Sequence, residues 1–576
     1  MGILLCIACA LPLLLLVPLA LPAARPWAMR AAPWAALPAL LAALLPGNAA
    51  LPVPWLVLGG LFALDSLARG FLFFTAALWL AAGIYAHGYL KSNQDTRQAV
   101  FFGHFLGTMG GNLCLIPAQD VLSFVSFFAI MSYSAYGLVV HYRNEANFFA
   151  GRIYIAMTLL GEVAAFGGLV WAACLAGGNT TLHGLVQAIA GAPERGVLLS
   201  LVFLGFGVKL GVLPLHMWLP LAHPAAPTPA SAVLSGVMIK TGLLLWLRVF
   251  PFDTALPVPG ALLLSLGVCT AFAAAFMGMA QTNPKALLAY SSISQMGIAA
   301  IGVGIGFASA QKSGPVLAAL LVFAAHHAFA KGALFLGVGI AATALSKTGR
   351  RLLFAGLALS GGALAGLPFT SGLAAKTHLT YLAKYTGAFW GPALGWLLPL
   401  TSVTTALLVI RFLVLVAPPP REPHGRANGH MVVPWAVMTL AALLFPWALV
   451  AAGWADLKHA GLYAQGVGGA AWPLLCAVAV AAVVWKMPAL RTPLTRITLP
   501  PGDLVYPVLR LLAFAGRAFD LAVLRPAAAA ETAFAGLRAQ VHRYHGTVLQ
   551  RMARQESFAL GMLFMAALAL GMAFIL

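Results

Sequence analysis

The stretch Leu201-Val-Phe-Leu-Gly-Phe-Gly-Val-Lys209-Leu-Gly-Val-Leu-Pro214 places a lysine, glycines and a proline inside an apolar segment of about residues 197–219. Proline removes a backbone donor and glycine tolerates unusual backbone angles, so a helix is expected to break here. A second such stretch, Gly366-Leu-Pro-Phe-Thr-Ser-Gly-Leu-Ala-Ala-Lys376, follows five apolar segments later. Two broken helices in corresponding positions predict an inverted repeat, with the freed backbone groups satisfied by protein or water.

The composition is that of a membrane protein. Of 576 residues, 62% are hydrophobic and 8% are charged, whereas about a quarter of the residues in soluble proteins are charged. We expect an all-α polytopic membrane protein with about 15–16 transmembrane helices, each long enough to cross about 30 Å of hydrocarbon. The apolar segments lie near residues 3–22, 30–46, 68–90, 99–117, 120–140, 152–177, 197–219, 229–250, 259–280, 285–308, 315–343, 353–375, 386–415, 432–453, 469–486 and 557–576.

The predicted organisation follows from these segments. Residues 487–556 mix arginines with apolar residues at spacings near three and four, which predicts a basic amphipathic lateral helix along the membrane surface. An ordinary extramembrane domain is the other interpretation. The predicted parts are N-terminal transmembrane helices at 1–98, a first five-helix repeat at 99–250, a second at 259–415, additional transmembrane helices at 416–486, the lateral helix at 487–556 and a last transmembrane helix at 557–576.

The net charge of +20 would indicate nucleic acid in a soluble protein. Here the basic residues lie mainly in short loops, so we interpret them as topology signals and expect no nucleic-acid partner. We expect a multi-pass protein of the cell membrane, and the positive-inside rule predicts that its N-terminus lies outside. The first apolar run resembles a signal peptide but lacks a basic flank, so we expect a retained helix.

No cofactor or metal is expected to bind this chain. The six cysteines lie inside apolar segments without metal-ligand spacing, and no glycine-rich nucleotide fingerprint opens a helix after a strand. The chain alone is therefore not expected to be catalytic.

Ionisable residues within the apolar segments are the candidate functional residues. Each costs about 2.5–3.5 kcal/mol at a helix centre on insertion scales. Burial favours the neutral form of lysine, and neutral histidines pass protons through bound water, so these groups together predict a horizontal proton relay at the membrane midplane. The set is Glu162, Lys209, His216, Lys240, His326, His327, Lys331 and Lys376.

Structural roles compete with this interpretation at several of these positions. His327 and Lys331 are four residues apart on one helical face, which favours a shared aqueous pocket, whereas His326 points elsewhere. His216 could cap or pack, Lys376 could reach the interface, and Glu162 could simply neutralise a neighbouring cation. Outside the set, we expect Asp120 to be a helix cap and Asp65 and Lys285 to be interface residues.

Several stretches between residues 60 and 415 are specific enough to indicate a family. The sequence resembles the antiporter-like subunits shared by respiratory complex I, Mrp-type cation/proton antiporters and the membrane-bound group 4 hydrogenases with formate hydrogenlyase. The stretches are Val208-Lys-Leu-Gly-Val-Leu-Pro-Leu-His-Met-Trp-Leu-Pro220, Leu234-Ser-Gly-Val-Met-Ile-Lys240-Thr-Gly242, Asn283-Pro-Lys-Ala-Leu-Leu-Ala-Tyr-Ser-Ser-Ile-Ser-Gln-Met-Gly297 and His327-Ala-Phe-Ala-Lys331-Gly-Ala-Leu-Phe-Leu336. The form ending in Lys240 looks closest to the hydrogenase and formate hydrogenlyase branch.

This resemblance implies roles for the buried lysines. Lys209 in the first broken helix would work with Lys331, His327 and Lys376. One position departs from the family pattern, because the fifth helix usually carries a Trp-Glu pair that tunes the first lysine, and here the stretch Ser126-Phe-Phe-Ala-Ile130 has no acid. Glu162 substitutes from the next helix, a partner subunit supplies the carboxylate, or this copy pumps poorly.

Three functions therefore remain open. The first is a proton- or sodium-translocating subunit of a membrane-bound redox complex, assembled with other membrane subunits that carry the electron transfer. The second is a subunit of an Mrp-type cation/proton antiporter driven by an ion gradient. The third is a structural anchor that does not conduct, suggested by the missing glutamate.

Overall fold

The computed structural model describes residues 1–56, 59–420, 422–451, 461–487 and 499–519. The chain divides into two compact units, Met1–Asp503 and Leu504–Leu576.

The first unit is built almost wholly of helices. Its α-helices are α1 Gly2–Leu14, α2 Leu16–Ala20, α3 Arg25–Ala31, α4 Leu37–Leu44, α5 Ser66–Ser92, α6 Gln98–Leu115, α7 Val121–Val139, α8 Glu145–Leu175, α9 Leu182–Gly191, α10 Arg195–Leu210, α11 Trp218–Ala225, α12 Thr228–Val233, α13 Lys240–Val249, α14 Pro257–Met279, α15 Pro284–Ala308, α16 Ser313–Ala341, α17 Lys347–Ala365, α18 Ser371–Leu382, α19 Gly387–Val416, α20 Gly429–Ala451 and α21 Gly461–Lys486. Short 3₁₀-helices cover Ala32–Ala36, Ala310–Lys312 and Ala383–Tyr385, and a π-helical turn, Leu234–Met238, joins α12 to α13.

A small β-hairpin is the one sheet in the described part of the chain. Strand β1, Ala50–Val53, pairs antiparallel with β2, Gly60–Ala63. No strand was predicted here, because each strand is only four residues long and β1 contains Pro52.

The all-α polytopic membrane fold is confirmed. Eleven helices in the described residues are long and apolar enough to cross a membrane, against the 15–16 spans predicted. Two predicted spans are broken into shorter helices, and the segment predicted at 99–117 is the 18-residue helix α6. The predicted last helix at 557–576 lies outside the described residues.

Each predicted repeat contains five long helical segments, and the fourth of each is broken. In the first repeat the fourth segment is α10 followed by α11, and in the second it is α17 followed by α18. Both predicted breaks are therefore confirmed, while the inverted relation of the two repeats stays a prediction.

Glycines in the left-handed region end the first half of each broken helix. Gly211 has φ of 76° and Gly366 has φ of 97°, a conformation that costs other residues free energy. Side chains satisfy part of the backbone freed at the first break, because the Trp218 indole donates to the Val208 carbonyl at 2.7 Å and Thr270 accepts from the Leu213 amide at 3.2 Å. These polar contacts are what an interrupted helix needs in an apolar surrounding.

Two segments occupy the centre of the first unit. The most apolar 18 residues of Thr228–Val249 and of Pro284–Ala308 are all buried, whereas only 39% of the most apolar 18 residues of α8 are buried. Helix pairs approach closely at small residues, as where Gly161 on α8 faces the Gly205 carbonyl on α10, the packing typical of membrane helices. The central segments and the broken helices carry most of the candidate residues.

The described part of the second unit is one helix, α22, Val505–Phe519. It lies within the stretch that was predicted to form the amphipathic helix, residues 487–556. Most of the predicted lateral helix at 487–556 lies outside the described residues, and its course along a membrane surface stays a prediction.

Candidate functional site

Lys209 lies at the end of α10, two residues before the break, and is 3% exposed. Its Nζ donates to Ser132 Oγ at 3.0 Å and to Tyr154 Oη at 3.4 Å. The same ammonium lies over the rings of Phe128, Tyr154 and Trp218, 5.3–5.9 Å from the ring centroids. A buried cation is thus stabilised by hydroxyls and aromatic faces.

Glu162 lies beside this lysine on α8. The close approach of Gly161 to α10 brings the two helices together, and the Glu162 carboxylate interacts electrostatically with Lys209 and with the Ser132 hydroxyl. Among the described residues the two charged groups form no direct ion pair, and Glu162 Oε1 is buried without a hydrogen-bond partner. Ser132 therefore lies between an acid and a base that do not touch.

Lys240 follows the π-helical turn and is fully buried. Its Nζ donates to the carbonyls of Ser235 at 3.1 Å and of Gly236. These carbonyls belong to the π-helical turn, where the wider hydrogen-bond spacing perturbs the regular ladder, as is frequent at functional sites. The hydroxyl of Ser235 contacts Ser292 Oγ on α15 at 2.7 Å.

The same serine pair lies between Lys240 and Lys331. Ser292 Oγ donates to the Leu288 carbonyl at 3.0 Å, and Lys331 Nζ donates to that carbonyl at 2.9 Å. Because Ser292 uses its proton in this bond, Ser235 is the donor in the serine pair. Two fully buried lysines on different helices thus flank the serine pair, and each is bound to a backbone carbonyl rather than to a serine hydroxyl.

The two adjacent histidines on α16 point to different partners. His326 Nδ1 lies 2.6 Å from the hydroxyl of Ser371, the first residue of α18. Both ring nitrogens of His327 are buried without a protein partner, near the charges of Lys240 and Lys331. The two rings therefore differ in their surroundings, and His326 contacts the second broken helix.

Lys376 lies on α18, and its Nζ lies close to the second break. It donates to Ser402 Oγ on α19 at 3.2 Å and to the Ala365 carbonyl at 3.5 Å. The residue is 9% exposed, so it lies within the helix bundle. Each broken helix thus places a lysine ammonium against a serine hydroxyl, Ser132 in one case and Ser402 in the other.

His216 lies apart from these lysines. In the segment between α10 and α11, its Nε2 is 3.2 Å from Asp503 Oδ1, and its ring is fully buried. The ring also packs 6.2 Å from that of Tyr290. The contact lies within the first unit and joins its last residue, Asp503, to the first broken helix, which favours the packing role left open for His216.

A polar cavity beside Lys285 was missed by the sequence analysis. It measures about 470 Å³ and is lined by Lys285, Tyr89, Tyr142, Thr228 and His424 among others. Lys285 Nζ donates to the Ala226 carbonyl at 2.6 Å. The interface role predicted for Lys285 agrees with this partly exposed position, but the cavity could not be inferred from one short loop.

His223 was also missed, although it lies three residues after a stretch that indicated the family. Its ring is fully buried, stacks on Phe335 at 4.7 Å and has no protein hydrogen bond at either nitrogen. The charges of Lys285 and Lys331 both act on it. The signal available in the sequence was a histidine between two prolines, Pro220 and Pro224. This pattern fits a packing role for the histidine equally well.

Arg248 forms an ion pair that the sequence analysis did not identify. At the end of α13, its guanidinium contacts both oxygens of Asp65, at 2.9 and 3.3 Å, and Gln119 at 3.2 Å. Burial alone would raise the pKa of the Asp65 carboxyl, but the Arg248 charge and hydrogen bonds together lower it. Asp65 caps α5 and Asp120 caps α7, so the cap predicted at Asp120 is confirmed.

The buried side chains of this site suit the binding of protons better than the binding of metal ions. The described residues contain no group of three or more His, Cys, Asp or Glu side chains placed to hold a metal ion. Lysines, histidines and hydroxyls are instead groups that accept and release protons.

Curated relatives cover part of this chain. Hydrogenase-4 component B of Escherichia coli is 30% identical over 288 residues, covering 48% of this chain and 42% of that protein. The putative antiporter subunit mnhA2 of Staphylococcus saprophyticus is 32% identical over 355 residues, 56% of this chain and 44% of that protein. The matches thus span less than half the length of these relatives.

Two solved structures share the fold. The Mrp complex of Dietzia sp. DQ12-45-1b matches with a TM-score of 0.74 and 22% identity, covering 95% of this chain and 63% of that chain. The archaeal membrane-bound sulfane sulfur reductase matches with a TM-score of 0.64 and 22% identity, covering 76% and 75%. The family model described as NADH:quinone oxidoreductase/Mrp antiporter, TM matches residues 118–405, half of the chain, and the protein belongs to that family.

Proposed function

We propose that this chain is a proton-translocating, antiporter-like subunit of a membrane-bound redox complex. Electron transfer in partner subunits would drive protons along a midplane relay of buried lysines and histidines. The relay comprises Lys240, His327 and Lys331 at its centre, with Lys209 and Glu162 at one broken helix and His326 and Lys376 at the other. The other membrane subunits of the complex are its partners.

The observation that carries the proposal is the arrangement of Lys240 and Lys331. Two ammonium groups buried in apolar helices are costly, yet both are held by carbonyls, and the hydroxyls of Ser235 and Ser292 lie between those carbonyls. Hydroxyl groups can both accept and donate a hydrogen bond. A purely structural lysine would need carbonyl partners but no pair of hydroxyls between it and a second buried lysine.

We infer that protons enter through the polar cavity beside Lys285. His223 lies within electrostatic reach of both Lys285 and Lys331. A neutral imidazole accepts a proton at one nitrogen and releases one from the other. The unpaired nitrogens of His223 leave both positions available to water.

The transported ion is inferred to be the proton. Hard cations bind through oxygen ligands, and carboxylates are the strongest of these. The relay instead presents four lysine ammonium groups and only one buried carboxylate, Glu162. Positive nitrogens repel sodium ions but exchange protons.

The test is substitution of Lys331 by methionine in the intact complex, reconstituted in vesicles. We expect proton uptake per electron transferred to fall at least tenfold, because methionine keeps the apolar volume but cannot be protonated. Lys384→Met is the matched control, since Lys384 is exposed and lies over Tyr381. Unchanged proton uptake in Lys331→Met, with the complex assembled, would refute the proposal.

An Mrp-type cation/proton antiporter subunit is the second candidate. It is favoured by the similarity to the putative antiporter subunit mnhA2 and to the solved Mrp complex. The third candidate is a structural anchor that does not conduct, for which neutralising Lys209 should leave both turnover and proton movement unchanged.

A further inference from the structure

A cleft opens on the side of the first unit between α10 and α14. It has a volume of about 600 Å³. Leu199 and Phe203 on α10 face Val258, Leu262 and Leu266 on α14 across it. Its walls are therefore almost wholly apolar over the first three turns of both helices.

The cleft is open to the surroundings of the protein. Val258 is 68% exposed and Leu262 is 66% exposed. Phe250 and Phe307 close its inner side, with ring centroids 5.1 Å apart. In a membrane-spanning unit, such an apolar and outward-facing cleft is filled by hydrocarbon.

A single charged side chain lines the cleft. Arg195 begins α10 and is exposed, and its guanidinium has no hydrogen bond or ion pair to any residue that the structure describes. The adjacent acid, Glu194, is not part of the lining. Arginine matches the geometry of a phosphate through paired N–H donors, and the positive ends of the α10 and α14 dipoles lie at the same end of the cleft.

The size of the cleft suits a slim occupant. Its volume of about 600 Å³ lies within the range of about 300–1,000 Å³ that is usual for small-ligand sites. A single hydrocarbon chain fits such a cleft.

We propose that this cleft is a phospholipid-binding site. The phosphate of the headgroup contacts Arg195, and one acyl chain lies between α10 and α14. The lipid would thereby pack against the same helix that carries Lys209 at its other end. The proposal does not depend on proton translocation.

Native mass spectrometry of the full chain in mild detergent, titrated with phosphatidylglycerol, tests the proposal. Ser200→Trp fills the cleft from its exposed rim, and Ser265→Trp is the matched control outside it. Both serines are exposed and donate to the carbonyl four residues earlier, at 2.7 and 2.8 Å. We expect Ser200→Trp to weaken binding of one phospholipid at least tenfold and Ser265→Trp to leave it unchanged.

Arg195→Gln tests the headgroup contact. We expect about tenfold weaker binding, and no competition from millimolar inorganic phosphate, because the acyl chain supplies much of the affinity. Equal lipid retention by the two tryptophan variants would overturn the site. Wild-type affinity in Arg195→Gln, or displacement by inorganic phosphate alone, would overturn the headgroup assignment.

Discussion

At the scale of single residues, the acid that serves Lys209 is the most specific feature of this chain. Ser132 Oγ accepts from Lys209 Nζ, and Ala129 lies three residues earlier on the same face of α7. The usual acid of the family is absent from that helix, whereas Glu162 approaches the lysine from α8. We infer that in this chain the carboxylate that acts on Lys209 is that of Glu162 on α8, rather than a carboxylate on α7.

Moving the acid back should restore function. Glu162→Gln should slow coupled proton uptake about ten- to a hundredfold, because a hydrogen bond or ion contact to a charged group is worth about 1.5–3 kcal/mol. Adding Ser132→Asp to Glu162→Gln places a carboxylate directly at the lysine and should recover most of the rate. The measurement is proton uptake across a pH series in vesicles.

Ala129→Glu combined with Glu162→Gln provides an independent form of the same rescue. The single Ser132→Asp variant serves as the control for packing changes on α7. If neither double variant recovers uptake although both assemble, Glu162 does not act through its charge on Lys209.

At the scale of the helices, the second break depends on the absence of a side chain at Gly372. A Cβ there would lie 1.8 Å from the Ala363 carbonyl oxygen, so α17 and α18 could not keep their present separation. Gly372→Ala should lower the free energy of unfolding by about 1–3 kcal/mol, the usual cost of overpacking. Thermal unfolding in detergent measures this effect.

Gly395→Ala is the matched helical control. A Cβ at Gly395 meets nothing within 4 Å, so this variant should be neutral or slightly stabilising, because alanine favours helix more than glycine does. Equal stability of the two variants would mean that the tight contact at the break relaxes without cost.

The Arg248–Asp65 ion pair joins the ends of two further helices. Asp65→Asn keeps a residue type that caps helices well but removes the charge, leaving the largely buried Arg248 without its ionic partner. We expect a loss of about 1–3 kcal/mol in the free energy of unfolding. Asp65→Glu, which retains the charge, should lose less.

This pair also predicts a pH dependence. The pKa of Asp65 is lower in the folded protein than its unfolded value of about 3.9. Its contribution to stability is therefore fully present above that unfolded value and is lost as the pH falls through the lower folded value. Between about pH 5 and pH 2, the free energy of unfolding of the Asp65→Asn variant should therefore lack the pH-dependent contribution that Asp65 makes in the wild type.

At the scale of the whole molecule, the sequence was most informative where one residue type is out of place. Lysines in apolar runs and glycine-proline breaks predicted the buried Lys209, Lys240 and Lys331 and both broken helices. Features that depend on distant contacts were not predictable, such as the Ser235–Ser292 link, whose residues are 57 positions apart. The His223 site and the cavity beside Lys285 likewise arise only when several helices pack.

The charge of the complete relay leads to the last prediction, which separates the two conducting functions. In vesicles holding the native complex, a sodium gradient alone should move no protons, because the buried lysines offer sodium no oxygen ligands and repel it. An electron donor should start proton uptake in the same vesicles, and Lys331→Met should abolish it. Proton movement that sodium alone starts, and that Lys331→Met abolishes, would instead assign this chain to Mrp-type antiport through the same residues.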